Sequence, residues 1–297
     1  MSAVARCSSR RPARLVSLAR LVEAIERELR TRVQANLYAS WTSTEGFGIH
    51  WDDHDTIVVQ LDGAKRWRIY GSTRPYPLYR DIEDPGEAPT EPCADLALHP
   101  GDLLYVPRGM WHAVSADQGT RSLHVTCGLQ THTATDLMAW VSEQLLAHED
   151  WRRDLPLLAA PEVQADALDG IRKRLAELLD DPALLARFQT AMDGQAVGRM
   201  VPSLPYIDAT PVDGRVRVRL TTARAVRNVG VDAVTLSAAG SVYEFAPAAE
   251  AVLRPLVDGR TVDLATLAEA ASLTMEDVAG LVQELVAGQA AMVGSLL

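Results

Sequence analysis

Residues 101–112 read Gly-Asp-Leu-Leu-Tyr-Val-Pro-Arg-Gly-Met-Trp-His, and this stretch decides the fold. Gly101, Pro107, Gly109 and His112 stand in a register that suits two short strands joined by a tight turn. The second strand then begins with a histidine. Some fifty residues upstream, Gly46–Asp55 reads GFGIHWDDHD and offers His50 and Asp52 two positions apart. Residues i and i+2 of a strand project to the same face, so this pair can grip one ion. His112, arriving from a distant strand, completes two histidines and one carboxylate, a set that leaves open coordination positions and suits a non-haem Fe(II) oxygenase. An isolated His-x-Asp occurs by chance in many proteins; its pairing with the Gly101–His112 register makes the signal specific.

The matching stretches run in order through NLYASW (36–41), GFGIHWDDHD (46–55), VVQLDGAKRWRIY (58–70), LHPGDLLYVPRGMWH (98–112) and SLHVT (122–126). Together they resemble the JmjC-type ribosomal oxygenases, a cupin branch that hydroxylates protein side chains. The resemblance covers about a third of the chain. It implies a double-stranded β-helix that uses Fe(II), 2-oxoglutarate and dioxygen, with His50, Asp52 and His112 as iron ligands. It also sets Lys65 against the distal carboxylate of 2-oxoglutarate and makes Asn36, Tyr38, His124 and Thr126 pocket residues. Relatives of this kind generally carry further residues ahead of the helix that precedes NLYASW. Here a basic leader stands in their place, so the N-terminal region reads as shortened and the substrate groove as built differently or completed by a partner.

Alternation along KRWRIY places Lys65, Trp67 and Ile69 on one strand face and Arg66, Arg68 and Tyr70 on the other. A solvated basic face explains Arg66 and Arg68. An interior Lys65 needs a partner, because an unpaired buried charge is costly. His54, His99, His132 and His148 have no partner spacing and read as structural or surface residues.

At 297 residues the chain is long enough for two or three domains. No apolar run approaches a membrane span, and the leader lacks the continuous apolar region of a secretory signal despite eight arginines in the first 32 residues. Cys7, Cys93 and Cys127 have no metal-binding spacing and fit a reducing, cytoplasmic setting. A net charge of −10 opposes general nucleic-acid affinity and suits a basic protein or peptide partner.

The expected architecture is α+β in three parts. Residues 1–132 form the oxygenase barrel behind an amphipathic helix at 15–30, on which Leu15, Leu18, Val22, Ile25 and Leu29 recur at helical spacing. Residues 73–95, with five prolines, read as an irregular loop or lid at the barrel edge. Residues 133–200 are helical, with stripes at Leu137, Val141 and Leu145 and at Leu168, Ile171, Leu175, Leu178 and Leu179. The resemblance implies that they join two subunits in a homodimer.

Residues 201–297 read as a winged-helix-like domain. Its expected strands are 216–220 and 242–246, and its helices 263–271 and 275–287, the second capped by Thr274 with Asp277. The domain holds seven arginines, no lysine and eleven acidic residues. Such a surface opposes phosphate binding, so no DNA partner is expected. The leading functional expectation is an oxygenase acting on an arginyl or histidyl side chain, on a ribosomal protein in the manner of the family. A hydroxylase of a small molecule or biosynthetic peptide, and a non-catalytic metal-binding cupin scaffold, stay open beside it.

Overall fold

The computed structural model describes residues 16–41, 46–116, 120–196, 198, 206 and 208–294. Leu15 and the basic leader lie outside the described residues. The chain divides into two compact units, 1–131 and 132–297.

The first unit opens with helix α1 (Val16–Leu29), followed by strands β1 (Arg32–Ser40), β2 (Asp55–Gly63), β3 (Lys65–Ser72), β4 (Ala94–Leu98), β5 (Leu103–Val106), β6 (Met110–Ala116) and β7 (Ser122–Gln130). They form two antiparallel sheets, ordered β1-β7-β2-β5 and β4-β3-β6. The period-2 pattern decides which side chains face inward. On β2, Thr56, Val58 and Gln60 are buried while Ile57 and Val59 are half-buried on the outer face. That outer surface is partly covered by α1, whose Val22 packs with Val33, Val125, Cys127 and Leu129. Glu26 of α1 accepts a hydrogen bond from the Val33 amide at 3.0 Å, fixing the helix to the strand it precedes.

The chain passes from one sheet to the other at Gly63, which has φ +65°, and a Cβ there would lie 1.7 Å from the Arg121 carbonyl oxygen. Only glycine fits that corner, and it delivers Lys65 to the first position of β3. Alternation along β3 is as expected: Lys65 and Trp67 are buried while Arg66 and Arg68 are half-exposed beside Asp95. The proline-rich loop carries a 3₁₀ turn at Tyr79–Glu83 and ends in β4. It is tied down where Trp111 Nε1 donates to Thr73 Oγ1 at 2.7 Å and Trp51 Nε1 to the Pro85 carbonyl at 3.1 Å.

The second unit holds helices α2 (Ala134–Leu145), α3 (Pro161–Leu179) and α4 (Leu184–Gly194), then β8 (Arg217–Leu220), β9 (Val226–Val229), β10 (Val234–Ala238), β11 (Ser241–Phe245), α5 (Glu250–Val257), β12 (Val262–Asp263), α6 (Leu264–Ala271), α7 (Met275–Ala287) and β13 (Ala291–Gly294). Two three-stranded sheets, β11-β10-β9 and β12-β8-β13, enclose an aliphatic core with α5, α6 and α7. Thr274 caps α7 in a reciprocal arrangement with Asp277.

Residues 133–200, set apart in the sequence reading, lie in the same compact unit as 201–297. A buried ion pair contributes to this, Arg224 Nη1 donating to Asp193 of α4 at 3.2 Å, and the Gly240 amide bonds the Gly194 carbonyl at 2.7 Å. Helix α3 contrasts with its neighbours. It buries no residue completely, and Leu168 and Leu179 are exposed.

Candidate metal centre

His112 stands near the start of β6, directly after the turn that Pro107 and Gly109 form. Gly109 has φ +77°, and a Cβ there would come within 2.7 Å of the Arg74 carbonyl and 2.8 Å of Pro77. This close approach lets the proline-rich loop seat against the turn. The segment carrying His50 and Asp52 is clamped to the same turn by backbone bonds. His112 N donates to His50 O at 2.7 Å, His50 N to His112 O at 3.0 Å, and Gly109 N to Asp52 O at 2.9 Å. The sequence reading set His50 and Asp52 on a regular strand. The structure instead gives a single bridge, His50 with His112, in an extended segment. Gly48, at φ +69°, and the bend before it interrupt the ladder. Extended backbone alone keeps the two side chains on one side.

The ligand atoms of His50, Asp52 and His112 all lie within 4.8 Å of one another, and no other such group of three occurs among the described residues. His112 Nε2 is 3.7 Å from Asp52 Oδ2, and the two imidazole rings are 4.4 Å apart. In each histidine Nδ1 faces a backbone carbonyl two residues back: Gly48 O at 3.1 Å for His50 and Met110 O at 2.9 Å for His112. A carbonyl only accepts, so Nδ1 carries the proton and Nε2 keeps its lone pair for a metal. Burial pushes the His112 pKa down, and the neighbouring His50 adds to that. A neutral imidazole is the form that ligates. Trp67 stacks on the His112 ring at 5.6 Å and holds its orientation.

The three residues line one wall of a cavity of about 290 Å³. Lys65, 6% exposed, also lines it, and its Nζ donates to Ser40 Oγ at 2.7 Å. Desolvation lowers the Lys65 pKa from 10.5 to about 8. His124 is buried with its ring 5.2 Å from that of Tyr38, and burial followed by the Lys65 charge pushes its pKa down to about 3. Tyr38, His124 and Thr126 line the cavity as expected of pocket residues. Asn36 does not. It sits on β1, the outer strand of its sheet, one strand further out than Thr126, its register partner.

Sequence reasoning passed over Ser40, Thr56 and Phe47 as lining residues. Ser40 carried a signal, since it lies two positions from Tyr38 on the same strand face. Of the remaining histidines, His54 pairs with Asp53 at 2.9 Å, His99 lies 3.9 Å from Asp102, and His132 meets the edge of Phe188.

Two tests bear on whether the cavity suits a metal and an anionic dicarboxylate. The donor set is two imidazoles and a carboxylate, the combination that Fe(II) sites of this class use. The orphaned buried polar atoms include Thr56 Oγ1, Trp67 Nε1 and His124 Nδ1, which belong to three of the residues that line the cavity. With Lys65 Nζ they make an interior rich in hydrogen-bond donors, matched to an acceptor-rich ligand. The residues fit both groups.

A JmjC domain family model matches residues 11–137, and a ROXA-like winged-helix model matches residues 171–292. The chain therefore carries a stretch matching a JmjC domain and, after it, one matching a ROXA-like winged helix. Its barrel is thus a JmjC cupin fold, the α+β class read from the sequence. Ribosomal oxygenase 1 of Gallus gallus is 30% identical over 189 residues, 58% of this chain and 31% of its own length. The bifunctional lysine-specific demethylase and histidyl-hydroxylase NO66 of Aedes aegypti is 36% identical over 132 residues, 41% of this chain. The match spans 21% of that relative's length. The structure of the Escherichia coli ribosomal oxygenase YcfD in complex with cobalt and 2-oxoglutarate superposes with a TM-score of 0.60 at 18% identity, covering 92% of this chain and 74% of that one. At that identity the likeness concerns the fold.

Proposed function

We propose that this chain is an Fe(II)- and 2-oxoglutarate-dependent oxygenase that hydroxylates a protein or peptide side chain. The observation that carries this reading is one cavity with a two-histidine, one-carboxylate set at one end and a buried lysine at the other. Along β3, Ile69 pairs with His112 and Lys65 with Ala116. Those four residues of strand span about 13 Å, a gap that a dicarboxylate and the lysine side chain fill together. The YcfD complex with cobalt and 2-oxoglutarate, on the same fold, supports the assignment.

His50, Asp52 and His112 would hold the iron, and Lys65 would hold the distal carboxylate of 2-oxoglutarate by a charge-assisted hydrogen bond. Tyr38, His124 and Thr126 complete the wall, with Asn36 paired across the sheet to Thr126. Bound iron, with 2-oxoglutarate and dioxygen, supplies the oxidising power to hydroxylate an unactivated C–H bond. The protein's part is positional. Nδ1 hydrogen bonds fix both imidazoles, Trp67 keeps His112 from turning, and buried Lys65 neutralises a carboxylate away from water. Exposed Phe47, in edge contact with Tyr38 and His50, borders the cavity. A scaffold that only bound metal would have no use for Lys65 in this place.

The relatives named ribosomal oxygenase and histidyl-hydroxylase support a protein substrate, and the side chain proposed is arginyl or histidyl, on a ribosomal protein. Incubation of the chain with Fe(II), 2-oxoglutarate, oxygen and peptides from ribosomal proteins should yield a mass gain of one oxygen atom. Turnover of small molecules with no peptide product would favour the second enzymatic reading.

We further propose a homodimer in which α3 and its exposed leucines are covered by a second copy, the arrangement closed two-fold interfaces favour. Light scattering should give twice the chain mass. The winged helix serves in packing or protein docking: α7 carries Glu276, Asp277 and Glu284 and no basic residue. Titration with duplex DNA at physiological salt should show no binding. Free Cys93 and Cys127 agree with a cytoplasmic site of action. No helix among the described residues is long and apolar enough to cross a membrane.

A further inference from the structure

Three side chains on the inner face of β2 reach the barrel interior, and two of them are accounted for. Val58 is fully buried in an apolar cluster. Gln60 Nε2 donates to the Asp62 carbonyl at 2.8 Å and to Ser122 Oγ at 2.9 Å. The third, Thr56, is 3% exposed, and its hydroxyl has no hydrogen-bond partner among the described residues. Thr56 is also one of the residues lining the cavity that holds His50, Asp52, His112 and Lys65. A buried hydroxyl with nothing to bond opposes folding, and a ligand in the cavity would satisfy it.

The place of Thr56 in the fold says which part of a ligand it meets. It lies at the start of β2, four residues after Asp52. Across the sheet it pairs with Val106, the last residue of β5, from which the turn leads to His112. The adjoining Asp55 carboxylate accepts from the Arg108 amide within that turn at 2.9 Å, which holds the start of β2 against it. Lys65 is nine residues on, past the Gly63 corner. Thr56 therefore belongs to the metal end of the cavity, and Lys65 to the far end.

We infer that Thr56 is a positioning residue whose hydroxyl donates a hydrogen bond to the 2-oxo acid end of the cosubstrate, the end next to the metal. Lys65 and Thr56 then hold the two ends of one molecule. The inference rests on the cosubstrate reading above, and the following experiment separates the two.

The full chain is loaded with Mn(II) as an inert surrogate and titrated with 2-oxoglutarate by calorimetry. Thr56→Val, which keeps the volume and removes the hydroxyl, should raise the dissociation constant about tenfold, whereas Thr56→Ser should stay within about twofold of the parent. Affinity for Mn(II) alone should be unchanged in both. In the anaerobic Fe(II) complex at saturating 2-oxoglutarate, Thr56→Val should displace the charge-transfer band and Lys65→Ala should leave it in place, because only the first alters the metal end. Equal affinity of Thr56→Val and the parent, with Lys65→Ala weakened, overturns the role of Thr56 and leaves the cosubstrate reading standing. A Thr56→Val variant that loses Mn(II) itself, or a Thr56→Ser variant that restores nothing, also overturns it. A parent chain that binds Mn(II) and takes up no 2-oxoglutarate defeats both.

Discussion

In the winged-helix unit the deepest positions, the Asp193–Arg224 pair aside, are aliphatic: Val218, Leu236, Leu253, Leu264, Val282 and Leu285 are all fully buried. At similar depth in the barrel stand Lys65, His112, His124, Thr56 and Gln60, with Val58 and Trp67 between them. Each buried leucine of the first kind contributes about 2 kcal/mol through the hydrophobic effect. The barrel residues instead carry the cost of desolvation, visible in the lowered pKa of Lys65, His112 and His124. One unit uses its interior for stability. The other gives much of its interior to a polar cavity and packs apolar residues both beside that cavity, around Val58, Trp67, Leu98 and Val106, and on the outer face under α1.

That contrast can be broken most severely at the metal end. His112→Ala should abolish Fe(II) or Mn(II) binding while costing under about 2 kcal/mol of stability, since the residue removed is a desolvated polar group with little core packing. Metal titration and a denaturant melt of the same variant check the two halves. Cooperative unfolding of the barrel on this substitution would mean that His112 belongs to its core.

Leu285→Ala in α7 is the reciprocal test. The loss should be about 2–5 kcal/mol, read as a lowered denaturant midpoint, from the transfer and cavity terms of a fully buried leucine. Metal affinity under native conditions should stay at the parent value.

At the far end of the cavity, Lys65→Ala should weaken 2-oxoglutarate binding by roughly ten- to a hundredfold, the worth of a buried charge-assisted contact of about 1.5–3 kcal/mol. The variant should be no less stable than the parent. Unchanged affinity would mean that Lys65 does not hold the distal carboxylate.

The pH dependence sharpens the same point, and its sign follows from the direction of the shift. The folded pKa of Lys65 is about 8 against an ordinary 10.5. Between those values the folded chain binds fewer protons than the unfolded one, so stability without cosubstrate rises with pH across that window. Binding of the dicarboxylate has the opposite sense, because it needs the ammonium form. Affinity should be level below about 8 and then fall by up to about tenfold per pH unit. The smallest effect belongs to the α7 cap, where Thr274→Ala should cost about 1 kcal/mol in a melt and leave the cavity untouched.

The barrel and the metal end were legible for a shared reason. Pro107 and Gly109 mark a turn, so the position of His112 relative to it is set locally, and two-residue spacing brings His50 and Asp52 to one side even without a regular strand. Lys65 was legible by alternation with Trp67. In the winged helix the Thr274–Asp277 cap and the apolar stripes defined α6 and α7 to within a residue. Helix α5 was not read, because Pro255 inside it argues against a helix and only packing overrides that. Strands β9 and β12, of four and two residues, are too short to show a period. Thr56 was missed because its importance comes from the cavity it faces, and nothing in the spacing of NLYASW separates Asn36, which is not among the lining residues, from Tyr38, which is.

The central claim is that one barrel cavity holds a metal at one end and a dicarboxylate at the other. The most direct measurement is calorimetric titration of 2-oxoglutarate into the full chain, with and without Mn(II), beside Asp52→Ala. The account requires one binding event per chain that is strong with Mn(II), weak without it and absent in Asp52→Ala. Binding that ignores both the metal and the carboxylate ligand would contradict it.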